Sequence, residues 1–223
     1  MAGDAADAAQ ARQMADMVND PALSGLQLGL LDALTKSASA RGVKPEGAEE
    51  LAVGWLASPR PEVVHRAAIL AGAWKIEATR AALSQLITAA ETPQPVREGA
   101  VQGLTRLGGA ASRDFFDRLF REQPTLRSLA VQGLADVGPQ LAATRAVEFL
   151  SQAGSAAEAS PVIEAFLRTK QLPSVLAKAL AGKTIPESVA VEAIRMVSSR
   201  GVQGPLVEAL RKAGGVKQMD RPL

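Results

Sequence analysis

Ala100-Val101-Gln102-Gly103-Leu104 recurs as Ala130-Val131-Gln132-Gly133-Leu134, an identity at an offset of 30 residues that reads as a tandem helical repeat. The period extends to both sides of the pentapeptide. Stepping by 30 from Leu107 reaches Val137, Leu167 and Val197, and stepping by 30 from Phe116 reaches Ala146, Leu176 and Leu206. Two apolar columns per period predict two helices per unit. Backwards, both columns step by 33, to Trp74 and Leu83, which places three extra residues in the linker around Pro93 and Pro95.

The second helix of each unit is predicted from its i, i+3, i+4 spacing: Leu83, Leu86, Ile87; Phe116, Leu119, Phe120; Ala146, Phe149, Leu150; Leu176, Ala179, Leu180; Leu206, Ala209, Leu210. The first helices carry small residues where two helices must approach, as in Ala67 with Trp74, Ala100 with Leu107, Ala130 with Val137, and Ala190 with Val197. The unit near Ser160 fits least well. There Pro161 and Glu164 stand where its siblings are apolar, and Ile163 with Phe166 suggests a one-residue slip. Gly108, Gly109, Gly138 and Gly201 follow first helices, as left-handed C-caps do. Prolines 59, 61, 93, 95, 124, 161 and 186 read mainly as punctuation between units, and Thr184 with Glu187 has the spacing of a capping box. Upstream, residues 21–39 and 46–57 form another helix pair, for about six in all. The first of these carries a wide face of Leu23, Leu26, Leu30, Leu31 and Leu34, which a helix over residues 1–18 would cover as a cap.

Composition supports helices. Of the 223 residues 47% are hydrophobic but only 3% aromatic, so the core is built from Ala, Leu and Val. With 25 basic against 23 acidic residues the net charge is +2, too small to argue for nucleic acid as a partner. No cysteine is present, which removes disulfides, thiolate metal sites and haem attachment through CxxCH within this chain. No apolar run reaches the length of a membrane span. Met1 to Gln13 places Asp4 and Asp7 among alanines and does not read as a signal peptide.

The signatures of ankyrin and tetratricopeptide repeats are missing, whereas Val96-Arg97-Glu98-Gly99-Ala100-Val101-Gln102-Gly103-Leu104-Thr105-Arg106-Leu107-Gly108 resembles the compact bacterial HEAT-like unit. From Ala67 to Gly215, the segments Leu70-Ala71-Gly72-Ala73-Trp74-Lys75, Pro95-Val96-Arg97-Glu98-Gly99-Ala100, Ala165-Phe166-Leu167, Leu180-Ala181-Gly182-Lys183 and Glu208-Ala209-Leu210-Arg211-Lys212-Ala213-Gly214-Gly215 add to this. In that order they resemble the HEAT region of large planctomycete-type proteins, in which a dehydrogenase-like propeller precedes the helices and a haem-binding CxxCH domain follows. The expected fold is all-α, a right-handed α-α superhelix of HEAT-like solenoid type, with a leader or capping helix at 1–20, the repeat domain at 21–213 and a basic flexible tail at 214–223. Without a Cys or a propeller segment, no redox activity carries over from the resemblance and no cofactor is expected. What it implies is a spacer or docking role, with a c-type cytochrome as one candidate neighbour, and an extracytoplasmic address only if the chain is a piece of a longer exported protein.

Chemistry is sparse. His65 is the only histidine, and in Val63-Val64-His65-Arg66 it reads as a surface residue at the start of a helix. Asp114 with Asp117, and Glu46 with Glu49 and Glu50, have helical spacing but no apolar surroundings to raise a carboxyl pKa, so they read as solvated surface. Trp55 and Trp74 fall in apolar columns and read as core rather than as stacking platforms. On the second helices, the column opposite the core is Gln85, Arg118, Glu148, Lys178 and Glu208; it alternates in sign, and its neighbour, Ala81, Asp114, Thr144, Ser174 and Gly204, is small. This is the candidate partner-facing surface, suited to a protein partner or a neighbouring domain. A HEAT-like DNA-binding protein or DNA glycosylase is the alternative, and it would need a basic stripe there.

Overall fold

The computed structural model describes residues 2–23, 25–201 and 204–217, and in helix α1 and at residue 21 part of the side-chain detail lies outside the description. Among the described residues there are thirteen α-helices and no strand: α1 (Ala2–Val18), α2 (Gln27–Arg41), α3 (Ala48–Leu56), α4 (Pro61–Ala73), α5 (Arg80–Thr88), α6 (Gln94–Leu107), α7 (Gly109–Glu122), α8 (Arg127–Val137), α9 (Pro139–Gln152), α10 (Ala156–Phe166), α11 (Leu172–Ala179), α12 (Glu187–Ser199) and α13 (Pro205–Gly214). The fold is all-α. None of these helices is longer than 17 residues, so each depends on packing rather than on its own propensity. Of the expected tail, residues 218–223 lie outside the described ones, and Gly215 closes α13 with a left-handed φ of 64°.

The chain divides into two units, residues 1–112 and 113–223. In the first, α2, α4 and α6 stand side by side, α1 packs on α2, α3 on α4, and α5 on α6. Ala11, Ala15 and Val18 of α1 are buried together with Leu31 and Leu34 of α2, whereas Leu26 remains exposed. In the second unit, α8, α10 and α12 form one row while α9, α11 and α13 form another, each helix touching its next-but-one neighbour. That pattern is what a short tandem repeat produces, because one helix pair cannot bury both of its apolar faces alone.

The register follows the predicted columns. Leu83, Phe116, Ala146, Leu176 and Leu206 are buried, and so are Ile87, Phe120, Leu150, Leu180 and Leu210 four residues later. In α10 the slip is real: Ile163 and Phe166 are buried, Pro161 and Glu164 exposed. Pro161 is inside that helix rather than between units, on its solvent side.

The repeated glycine has a packing role. A Cβ built on Gly103 would lie 2.2 Å from the carbonyl oxygen of Ala68 on α4, and one built on Gly72 would lie 2.3 Å from the carbonyl oxygen of Gly103. Gly99 meets the His65 carbonyl at 2.6 Å in the same way, so α4 and α6 pack backbone to backbone. Its counterpart Gly133 receives the Phe116 ring, whose edge would come within 2.5 Å of a Cβ. One motif glycine thus seats a helix and the other an aromatic ring.

The arginines that begin the first helices also hold the frame. Arg97 donates to the carbonyls of Ile87 and Ala89 at the end of α5, at 3.0 and 2.8 Å. Arg127, 30 residues on, donates to the Phe120 carbonyl at 3.1 Å at the end of α7. These charged donors satisfy carbonyls that a helix end leaves without intrahelical partners.

Several local expectations differ from what forms. Gly138 has φ of −162°, ordinary extended backbone rather than a left-handed cap. The Thr184 and Glu187 capping box does not form, because Ile185 is buried and its amide donates to the Ala213 carbonyl, which holds residues 184–186 extended; Pro186 is the N-cap instead. A side-chain cap does occur at α10, where Ser155 Oγ accepts from the Glu158 amide at 3.2 Å and Glu158 Oε2 accepts from the Gly154 amide at 3.0 Å.

Lys75 is the only described non-glycine residue with a positive φ, 57°. It occupies the left-handed position of a Schellman closure on α4, with the Ile76 amide donating to the Ala71 carbonyl and the Lys75 amide to Gly72. Since this conformation is disfavoured by about 1 kcal/mol or more for a residue with a Cβ, Lys75→Gly is expected to stabilise the first unit by about 0.5–1 kcal/mol, read from urea unfolding. A loss of stability would mean that the Lys75 side chain outweighs the backbone term.

Candidate functional site

In the second unit, the expected partner-facing column runs over α7 and the row of α9, α11 and α13. Arg118 on α7, Lys178 on α11 and Glu208 on α13 are exposed, and Glu148 on α9 is partly so. Gln85 on α5 is exposed in the first unit. Their neighbours Ala81, Asp114, Thr144, Ser174 and Gly204 are exposed too. Two grooves run beside α11. One, of about 490 Å³, is lined by Thr144, Val147, Glu148, Ser151, Ala179 and Lys183; the other, of about 500 Å³, includes Leu180, Lys183, Glu208, Ala209 and Lys212. Lys183 is common to both.

The carboxylates of this face are already engaged. Glu148 accepts from Arg145 at 2.9 Å and Glu208 from Arg211 at 2.7 Å. Arg145 also reaches Asp117 at 2.9 Å, and its guanidinium lies over the Phe120 ring, as that of Arg127 does. Burial by itself lowers the Arg145 pKa, but hydrogen bonds to Asp117 and Glu148 outweigh it and leave the group above its ordinary value. It is a fixed cation tying α7 to α9, not a proton donor.

The other chemical candidates prove structural or solvated. His65 is partly buried within α4 rather than exposed at its start, and its Nδ1 lies 2.6 Å from the Pro95 carbonyl, so that nitrogen carries the proton and bridges to α6. Asp114 is held by Arg113, and Asp117 by Arg121 and Arg145. Glu46, Glu49 and Glu50 are exposed. Trp55 and Trp74 are core residues, their ring centroids 6.0 Å apart, with indole N–H groups donating to Asn19 Oδ1 and to the Val43 carbonyl.

Asp136 at the end of α8 is the one described aspartate with a displaced pKa. Desolvation raises it above the ordinary carboxylate value, while Arg168, 3.5 Å away, opposes the shift. A raised folded-state pKa means that the folded chain binds this proton more tightly than the unfolded one. Its contribution to stability is therefore complete at low pH and falls as pH rises from the ordinary carboxylate value through the raised one. With the side chain 40% exposed the effect is small, and Asp136→Asn is expected to leave stability unchanged or raise it by about 0.5 kcal/mol at neutral pH. An NMR titration of Asp136 below the ordinary carboxylate range would contradict this.

A second charged surface was not among the expectations. Lys44, Lys75 and Arg106 recur at steps of 31 residues, just beyond or at the ends of α2, α4 and α6, and together line a cleft of about 680 Å³ with Ser39, Gly42 and Trp74. The signal available in the sequence was this 31-residue spacing of basic residues, which is close to the repeat period without matching it. No protein-family model matches the chain, and no curated protein matches it. Function therefore rests on these surfaces and their chemistry.

Proposed function

We propose that the chain is a non-catalytic, HEAT-like helical-repeat scaffold that docks a protein partner or a neighbouring domain, a c-type cytochrome or other redox module being one candidate. The observation that carries this reading is how the repeat uses its residues. The recurring Ala100, Val101, Gly103 and Leu104, and Ala130, Val131, Gly133 and Leu134, are all buried in packing, while Gln102 and Gln132 remain at or near the surface. The outward positions Gln85, Arg118, Glu148, Lys178 and Glu208 differ in size and sign on a constant frame. A constant frame carrying variable polar positions suits recognition of another surface. The rows of alternate helices within each unit fit a HEAT-like stack.

The test is the native protein with whatever co-purifies. Hydrogen exchange should show protection on the outer faces of α9, α11 and α13 when a cytochrome or other protein partner is present, and small-angle scattering should show an elongated particle. A protein that turns over a small molecule with no partner would overturn the scaffold reading. So would duplex DNA bound with a steep salt dependence, because the alternating column offers no phosphate-tracking stripe.

A further inference from the structure

We propose that the cleft framed by Lys44, Lys75 and Arg106 is a docking site for an acidic peptide segment of a partner protein. This rests on the docking role proposed above, but on a different surface from the row of α9, α11 and α13.

Charge is the first observation. Three cations line the cleft with Ala38, Ser39, Gly42, Gly72, Ala73 and Trp74, and no carboxylate is among the lining residues. Among the described residues none of the three cations is in an ion pair; Lys75 Nζ donates to the Arg106 carbonyl, and Arg106 Nη1 donates to Ser39 Oγ at 3.1 Å. Elsewhere in the first unit Arg12, Arg41, Arg66 and Arg80 are matched to Asp16, Asp7, Asp32 and Glu77, while Arg60 donates to Gln27 and Arg97 to the carbonyls that end α5. Among the residues that line the cleft no acid offsets the three cations, so its side-chain charge is positive.

Position is the second. The three cations gather at the C-terminal ends of adjacent helices, Lys44 three residues beyond α2, Lys75 two beyond α4 and Arg106 in the last turn of α6, while the positive-φ counterparts of Lys75 on the neighbouring helices are Gly42 and Gly108. The third is the backbone at Lys75. Its left-handed φ is one that glycine adopts without strain, and yet a lysine occupies it with its ammonium at the rim of the cleft.

A purely structural role explains part of this. Cations favour helix C-termini, and Lys75 does cap a carbonyl of α6. It does not explain Lys44, which is exposed, lies beyond the end of α2 and has no described acidic partner.

The geometry favours carboxylates spread along a peptide over a compact phosphate. The helix ends gathered here are C-terminal and present carbonyl oxygens, so an anion in the cleft is held by the side-chain cations rather than by backbone amides. The single guanidinium already shares a donor with Ser39, and the two ammonium groups are point charges on flexible stems. Small side chains and the edge of Trp74 make a floor that a peptide backbone can approach closely.

The experiment uses the full chain and a short fluorescein-labelled poly(Glu) peptide at low salt, read by anisotropy and by NMR shifts of the Trp74 indole. Saturable binding that weakens with added salt is expected, with Trp74 perturbed. Lys44→Glu should weaken it by roughly fivefold or more, and Lys178→Glu, on the other surface, should leave it unchanged. Lys75→Gly separates binding from folding, because it should weaken the peptide while the melting temperature holds or rises. Absence of binding, equal binding by Lys44→Glu, or duplex DNA displacing poly(Glu) from the same residues would overturn the proposal. If poly(Glu) leaves the cleft unperturbed while a native partner still protects α9, α11 and α13, the cleft assignment fails and the scaffold reading stands.

Discussion

Gly103→Val is expected to destabilise the first unit by at least about 3 kcal/mol, at or beyond the upper end of ordinary overpacking. Intrinsic helix preference points the other way, since valine is a better helix former than glycine by roughly a few tenths of a kcal/mol. Sterics decide. The added Cβ would meet the Ala68 carbonyl oxygen at 2.2 Å and its carbonyl carbon at 2.9 Å, and both are backbone atoms that cannot rotate away. Relief requires α4 and α6 to separate, which would also open the contacts of Gly72 and Gly99 along the same crossing. Against a typical total stability of about 5–15 kcal/mol, that loss is large enough to leave part of the population unfolded. Gln102→Val, one residue away but exposed, should change stability by no more than about 0.5 kcal/mol. Both tryptophans lie in residues 1–112, so their fluorescence during urea unfolding reads this unit selectively. Equal midpoints for the two variants would refute the backbone-to-backbone crossing.

The parts of the fold that the sequence made legible are those where one physical demand repeats. Phe116, Leu176 and Leu206 had to be buried because each is the inward residue of the same helix in successive units, and a period survives insertion of three residues in one linker. Even the irregular α10 was readable from the displacement of Ile163 and Phe166. Features set by a single long-range contact were not readable. The Thr184 box had the right spacing, but the bond from Ile185 to Ala213 holds its backbone extended. Gly103 reads in sequence as a weak point of a helix, and only the proximity of Ala68 turns it into a packing requirement. The candidate surfaces divide along the same line. The exposure of Arg118 and Lys178 followed from the apolar columns opposite them, whereas the neutralisation of Glu148 and Glu208 depends on which rotamers Arg145 and Arg211 adopt. The cationic cleft left only a 31-residue spacing of basic residues in the sequence, and its meaning depends on α2, α4 and α6 lying side by side.

The register of the second unit is tested by a pair of substitutions two residues apart on α11. Leu176 is fully buried and Lys178 exposed, on a helix of only eight residues that touches both α9 and α13. So short a helix is unstable in isolation, and its large buried side chains are Leu172 and Leu176, with Leu180 just past its end. Removing one of the three takes away a substantial share of what holds α11 against its neighbours. Leu176→Ala is accordingly expected to cost about 3–5 kcal/mol, the upper part of the range for buried leucines, since both loss of burial and a cavity contribute. Lys178→Ala should lie within about 0.5 kcal/mol of the parent, because Lys178 has no described ion pair to lose and alanine is the better helix former. Far-ultraviolet circular dichroism during urea unfolding gives the two energies, and hydrogen exchange locates the effect, with faster exchange expected in α9, α11 and α13. If Lys178→Ala proves as damaging as Leu176→Ala, the inward face of α11 is not the one described, and the outward column that passes through Lys178 loses its basis as a docking surface.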